Sequence, residues 1–430
     1  MSKKHSLIYQ RLFFCIFWVG ACFGFVADEM LTSLQGARSM VFLGLDALWL
    51  LLAVLTVRRR SHLIAIGVFI TVSFAATCLV NGLAIVYWMN GLRDFFGILC
   101  AYPIMCYFMG DDDRRARFES ALDRALLCFL LVQAFCVTYQ FMLYGAGDHC
   151  GGSFGNWYSG QVSTCSYIAS FHLVHRRLDT SRFFGGLREN IVPVVLLFPT
   201  FLNETKISFV LLALYIVLLL PLDRRYLVRA MWMLPVTLAM AWAAVMAYTS
   251  LVKDSDDVFS LDYVTEYMLT DVDEAEGGAL WDIDHGGVTD VPRLTKIAYL
   301  PLLHEQEPGH ELMGWGTGQF KGGKGIEVSE FAYEYDWLLM GSIPYVFHVH
   351  IQLGVIGVML VAAWLVMMFV MKPSWSGGRD YNVQAYALLI ILMIMCYNDS
   401  LRDLWMCSIL FAFLATSFKP IKTTPKRLSV

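Results

Sequence analysis

The sequence predicts an all-α polytopic membrane protein of about 12 transmembrane helices, with one long loop on the far side of the membrane. Three observations carry that expectation. Of the 430 residues, 57% are hydrophobic and only 16% are charged, whereas soluble domains carry about 25% charged residues. Apolar runs long enough to cross a bilayer, about 20 residues each, recur from end to end. The basic residues between those runs also keep to one side. A net charge of −4 provides no basic surface for nucleic acid, and the composition excludes an ordinary soluble enzyme.

The expected spans lie near 12–27, 39–57, 62–80, 90–109, 122–144, 158–174, 187–202, 207–221, 230–252, 343–371, 383–397 and 401–418. Segment 158–174 is rich in Ser and small residues, which suits a helix packed against other helices. Segments 187–202 and 383–397 are short for a span. Together they divide the chain into an N-terminal bundle over 1–252, a loop over 253–342, and C-terminal helices with a tail over 343–430.

Loop charges set the sidedness. With the N-terminus in the cytoplasm, Arg58-Arg59-Arg60, the Arg114/Arg115/Arg117 run, Arg176-Arg177, Arg224-Arg225 and the C-terminal Lys419, Lys422, Lys426 and Arg427 all lie inside. On that assignment 23 of the 32 Lys and Arg are cytoplasmic, eight are on the far side, and Arg93 lies in a span. The positive-inside rule expects this asymmetry, and both termini are then cytoplasmic. The first span follows Lys3, Lys4 and Arg11 and is closed by no small-residue cleavage site, so it reads as a retained helix. The eleven cysteines fall mostly inside spans and form no CxxC pair, as packing residues would.

The loop is acidic, with 19 Asp and Glu against five Lys and Arg. A connection this long is functional or disordered, and Trp281, Trp315 and Trp337 argue for a folded one. Pro292 to His304 is amphipathic, with Pro at the first turn and apolar positions at Leu294, Ile297, Ala298 and Pro301, and predicts a short helix. Gly314-Trp315-Gly316-Thr317-Gly318 follows. Dense glycine either shapes a tight loop or brings backbone N–H groups close to an anion. No Walker sequence is present, so nucleotide-driven chemistry is not expected.

Charges near hydrocarbon need a partner or a wet cavity. Arg93-Asp94 sits early in the fourth span. Asn203-Glu204-Thr205-Lys206 makes a short outer turn. Arg293 opens the loop helix with Lys296 on roughly the same face, and Asp399, Arg402 and Asp403 close the last outer turn. Arg93, Lys206, Arg293 and Arg402 thus meet one membrane face and suit an anionic headgroup, although anchoring, turn formation and charge neutralisation are open as alternatives. His348 and His350, two apart on a helix, point in different directions. Metal ligation, acid–base and structural roles stay open for them, and no metal or cofactor is expected.

Topology and motif order resemble the bacterial O-antigen polymerase and ligase superfamily. Asn90-Gly91-Leu92-Arg93 resembles its early arginine stretch, and Gly152-Ser-Phe-Gly-Asn156 its glycine and asparagine loop. Phe201-Leu-Asn-Glu-Thr-Lys206 is placed like a polar turn that often carries an arginine. Asp290-Val-Pro-Arg293 with Gly314-Trp-Gly-Thr-Gly318 resembles its loop arginine, short helix and glycine motif. His350 with Leu353-Gly354-Val-Ile-Gly357 resembles the histidine that opens the next span. Two features depart from the family: lysine stands at 206, and no histidine-asparagine pair surrounds His350.

The resemblance implies a C-type glycosyltransferase fold in a bacterial inner membrane. Its implied substrate is an undecaprenyl-diphosphate-linked oligosaccharide, polymerised on the periplasmic face into O-antigen, capsule or exopolysaccharide. Arg93, Lys206, Arg293 and Arg402 would hold the diphosphate, and Glu305, Glu307 or His350 would be the base. Trp281 and Trp315, with Gly316, Gly318 and Lys296, would contact substrate. The implied partners are the bilayer, a chain-length regulator and a flippase of the same pathway. A glycan ligase and a transporter or flippase for an anionic lipid or solute are the alternatives.

Overall fold

The computed structural model describes residues 3–178, 188, 190–203, 207–219, 291–318, 320, 327–339, 341–370 and 376–420. The expected span 230–252, most of the acidic loop, Lys206 and Trp281 lie outside these residues. The described part is helical apart from one two-stranded ladder. In chain order the helices are α1 (Lys3–Phe25), α2 (Arg38–Thr56), α3 (Arg60–Phe74), α4 (Ile85–Met109), α5 (Asp112–Tyr144), α6 (Ser159–Arg177), α7 (Ile191–Val195) and α8 (Ile207–Leu219). After the loop's first part come α9 (Arg293–Ala298), α10 (Leu300–Gln306), α11 (Glu330–Glu334), α12 (Asp336–Leu339), α13 (Tyr345–Val370), α14 (Tyr381–Tyr397) and α15 (Leu404–Thr416). Strand β1 (Ser376–Arg379) pairs antiparallel with β2 (Phe418–Pro420), tying the start of α14 to the end of α15.

Among the described residues, 6 helices are long and apolar enough to cross a membrane, and they coincide with the expected spans 12–27, 39–57, 62–80, 90–109, 122–144 and 343–371. The apolar helices over Ile191–Phe201, Ile207–Leu219, Tyr381–Tyr397 and Leu404–Thr416 are shorter. The chain is therefore an all-α protein of multi-pass membrane character. Its outward faces agree: Val54, Ile64, Phe135, Met142, Met359 and Val366 are each more than half exposed. In water such a surface would be an aggregation liability, whereas against lipid tails it is the expected one.

Three helices make the centre. Residues 98–105 of α4, 161–174 of α6 and 404–415 of α15 are buried on nearly every face. The polarity of α6 is absorbed locally. The Thr164 hydroxyl donates to Gly160 O at 2.8 Å, and Ser170 donates to Pro193 O at 2.8 Å. Ser208 donates to Ser163 Oγ at 2.9 Å. These bonds remove the cost of burying hydroxyls away from water. Gly97 of α4 faces Cys407 of α15, where an added Cβ would lie 2.8 Å from the thiol sulfur.

The expected single helix over Pro292–His304 is two. Pro292 is the N-cap of α9, as its missing N–H allows, and the chain breaks at Tyr299 before α10. Pro301 causes the break, because its ring displaces the preceding turn and it cannot donate back into α9.

Helix α13 is interrupted at Gly354, which has φ 62 and ψ −162. In an unbroken helix the N–H groups of Val355 and Ile356 would bond the carbonyls of Ile351 and Gln352. Here Val355 donates to Glu311 O at 2.9 Å and Ile356 to Leu312 O at 3.1 Å. Ile351 O and Gln352 O accept from Trp315 at 2.9 Å and Gly316 at 3.1 Å. The loop segment 311–316 completes the break bond for bond. An open carbonyl or N–H at this depth would cost several kcal/mol, by the order-of-magnitude rule for apolar surroundings.

Candidate functional site

One cluster of polar side chains lies at the end of the bundle where α13 begins. Arg93, on the third turn of α4, donates from Nε to Asp46 Oδ2 of α2 at 2.6 Å. The next residue, Asp94, receives Arg402 Nη2 at 3.1 Å and lies 3.2 Å from His348 Nε2 of α13. Arg402 also pairs through Nη1 with Asp399. Asp403, beside it, accepts from Gln161 Nε2 at 2.6 Å, and Trp405 Nε1 donates to Gln161 Oε1 at 2.8 Å. Helices α2, α4, α6, α13 and α15 thus meet through one ionic cluster.

The two arginines in it differ. Both terminal nitrogens of Arg402 are committed to carboxylates, and its side chain is only 11% exposed. Arg93 is 27% exposed and uses Nε alone in its ion pair, and among the described residues its two Nη atoms have no hydrogen-bond partner. Such a fork suits a planar or tetrahedral oxyanion.

Arg293 lies on the same end. It is buried, with its guanidinium 4.1 Å from the Tyr397 ring centre in a cation–π arrangement. Tyr397 ends α14 two residues before Asp399, so Arg293 and Arg402 flank one short turn. Lys296 is fully buried and donates from Nζ to Ser342 O at 3.2 Å, which pins α9 to the approach of α13.

His348 and His350 point apart, as their spacing on a helix requires. His348 faces Asp94, whereas His350 Nε2 lies 2.8 Å from His304 Nε2 of α10. The His304 imidazole is held below the ordinary histidine range, first by burial and then by neighbouring His310, against the opposing pull of Glu311. Glu305 is exposed and Glu307 half-buried, and neither forms an ion pair with a described residue.

The glycine motif is a clasp. The N–H groups of Trp315 and Gly316 bond α13, and Thr317 N donates to Thr77 Oγ1 at 2.9 Å. Asn81 Nδ2 donates to Gly314 O at 3.0 Å. A Cβ on Gly314 would stand 2.6 Å from Gln352 C, and one on Gly318 would collide with Tyr87 O. Of the two readings of these glycines, tight packing accounts for the contacts made by Gly314, Gly316 and Gly318, and the N–H groups of 315–317 already have protein acceptors. Trp315 is buried under stacked rings: Phe331 at 4.7 Å, His310 at 4.9 Å and His304 at 5.1 Å.

Sequence reasoning missed Asp46, Arg38, Tyr158 and Gln161. Asp46 had a signal, being one carboxylate inside the apolar run 39–57. Arg38 pairs with Asp28 at 3.2 Å and lies 5.5 Å from the Tyr158 ring centre. The 152–156 loop beside it is held by two glutamines of α5: Gln133 Nε2 donates to Ser153 Oγ at 2.6 Å, and Gln140 Oε1 accepts from Gly152 N at 2.7 Å.

Among the described residues no group of three or more His, Cys, Asp or Glu is placed to hold a metal ion. No protein-family model and no curated protein matches the chain. What defines its class is the fold and the site: a multi-pass helical membrane protein with an ionic cluster at the loop end of its bundle.

Proposed function

We propose that the chain is a membrane glycosyltransferase of C-type fold, crossing a bacterial cytoplasmic membrane about 12 times with both termini inside. It polymerises undecaprenyl-diphosphate-linked oligosaccharide repeat units at the loop end, on the periplasmic face. A hydroxyl of one lipid-linked unit attacks the anomeric carbon of another glycan. The bond from that carbon to the diphosphate breaks, the diphosphate leaves with the electron pair, and the hydroxyl proton passes to a base. Diphosphate is already an activated leaving group, so no nucleotide is required.

The observation that carries this reading is the open fork of Arg93, whose Nη atoms have no hydrogen-bond partner among the described residues. A cation aimed at charge developing on the leaving diphosphate lowers the barrier. Arg402, tied to two carboxylates, positions Asp94 and so the segment that bears Arg93. The base that takes the hydroxyl proton is Glu305, Glu307 or His350, the last of them bonded to His304.

The test is Arg93→Ala, with Arg93→Lys beside it, scored for glycan chain length and for single repeat units accumulating outside the membrane. Polymerisation should slow by about a hundredfold or more, as for loss of one oxyanion donor, while translocation of single units continues. Loss of translocation itself would favour a flippase and overturn the reading.

A further inference from the structure

At the bundle end opposite the loop, a cavity of about 270 Å³ opens between the first turns of α5 and α14 and the last turns of α6 and α15. Its polar wall is Arg115, Glu119, His172, His175, Arg176 and Asp380. None of these enters the proposed reaction, which is placed toward the other end of α4, about 24 Å by helix rise from Arg93 to Met109.

The wall is built. Glu119 receives Arg115 Nε at 2.7 Å on one oxygen and Arg176 Nη2 at 3.1 Å on the other. Asp123, behind it, is held by Arg176 Nη1 at 3.3 Å and His172 Nε2 at 2.8 Å. His175 Nε2 lies 3.0 Å from Asp380 Oδ2. The Arg115 side chain is only 8% exposed, yet its ion pair uses Nε alone. Among the described residues its two Nη atoms have no partner, and the residue lines an open volume. A buried guanidinium left half-bonded points to an absent acceptor.

Charge identifies the acceptor's class. Two guanidiniums face two carboxylates in the lining, so the wall is balanced when both imidazoles are neutral. A simple anion would worsen that balance. A ligand carrying one phosphate and one ammonium leaves it unchanged and offers opposite charges to Arg115 and Asp380. The cavity also sits at helix ends, where lipid headgroups lie.

We propose that this cavity binds the headgroup of a zwitterionic phospholipid of the phosphoethanolamine type, with the phosphate on the Arg115 Nη pair and the ammonium toward Asp380. The site is independent of the glycosyltransferase reading and stands if that reading fails.

The full chain, purified in detergent and stripped of lipid, is titrated with short-chain phosphatidylethanolamine and followed by native mass spectrometry. Arg115→Gln should weaken binding about tenfold, the worth of a charge-assisted hydrogen bond. Asp380→Asn, which keeps the N-cap of α14, should abolish the preference for phosphatidylethanolamine over phosphatidylglycerol. Phosphatidylglycerol binding the unaltered protein equally well overturns the zwitterion assignment. Free phosphoethanolamine competing as effectively as the lipid overturns the lipid assignment. If Arg115→Gln does not fold by size exclusion, Arg115→Lys replaces it, and undiminished binding there and in Asp380→Asn overturns the proposal.

Discussion

The two ends of the bundle solve the same electrostatic problem differently. At the loop end, Asp46 of α2 reaches Arg93 of α4, and Asp94 of α4 reaches Arg402 in the turn before α15, so both ion pairs are joints between elements. At the opposite end, the pairs of Arg115 and Arg176 with Glu119 and Asp123 link only α5 and α6, and a cavity remains beside them. One cluster therefore fastens the bundle, whereas the other furnishes a wall. Breaking a joint should cost stability, and altering the wall should cost ligand.

The largest effect is expected at Arg402. Arg402→Ala would leave Asp94 and Asp399 facing each other without their cation, and removing one partner from a buried pair typically costs about 3–5 kcal/mol. Thermal unfolding in detergent should show the loss, and Asp94→Asn in the same chain should recover part of it. A two-substitution chain no more stable than Arg402→Ala would sink the pairing.

Gly354→Ala comes next. A side chain at φ 62 is strained, and its Cβ would collide with the Leu312 carbonyl. The expected cost is about 1–3 kcal/mol. Limited proteolysis should show faster cutting at 311–318, whereas Gly36→Ala, in open space, should leave cutting unchanged.

Acid should loosen the loop through His304. Its folded-state proton affinity is depressed, so the unfolded chain binds the proton more readily. Docking of the loop is fully stable above the ordinary histidine range, weakens as pH falls through about 6.5, and continues to weaken until the folded imidazole also titrates. Hydrogen exchange of the 311–316 amides measured from pH 7.5 to 5 and corrected for intrinsic rate should rise, and His304→Asn should flatten the profile.

The smallest effect belongs to Arg38→Lys. Its bond to Asp28 is partly exposed, and such pairs contribute about 0.2–1 kcal/mol. A larger loss would move Arg38 into the class of joints.

Much of this was legible in the sequence, and the illegible part has a common cause. The long spans stood out because lipid demands uninterrupted apolar length, a one-dimensional property. Arg93 and Arg402 stood out because charge interrupts that length. Their partners did not, since Asp46 reaches Arg93 across 47 positions and Asp94 reaches Arg402 across the whole loop. The glycine motif allowed two readings because its donors could serve a ligand or a helix. The carbonyls that decided between them are freed only by the break at Gly354, some forty residues on. Two helices replaced one over 292–306 because Pro301 was counted as apolar rather than as a breaker.

The interrupted helix also bears on how the protein is made. The half before Gly354 carries two carbonyls that its own helix cannot bond, and the half after it carries two such amides. The break is therefore closed only once residues 311–316 have folded back onto it. Docking of 311–316 and closure of the helix break thus become one event.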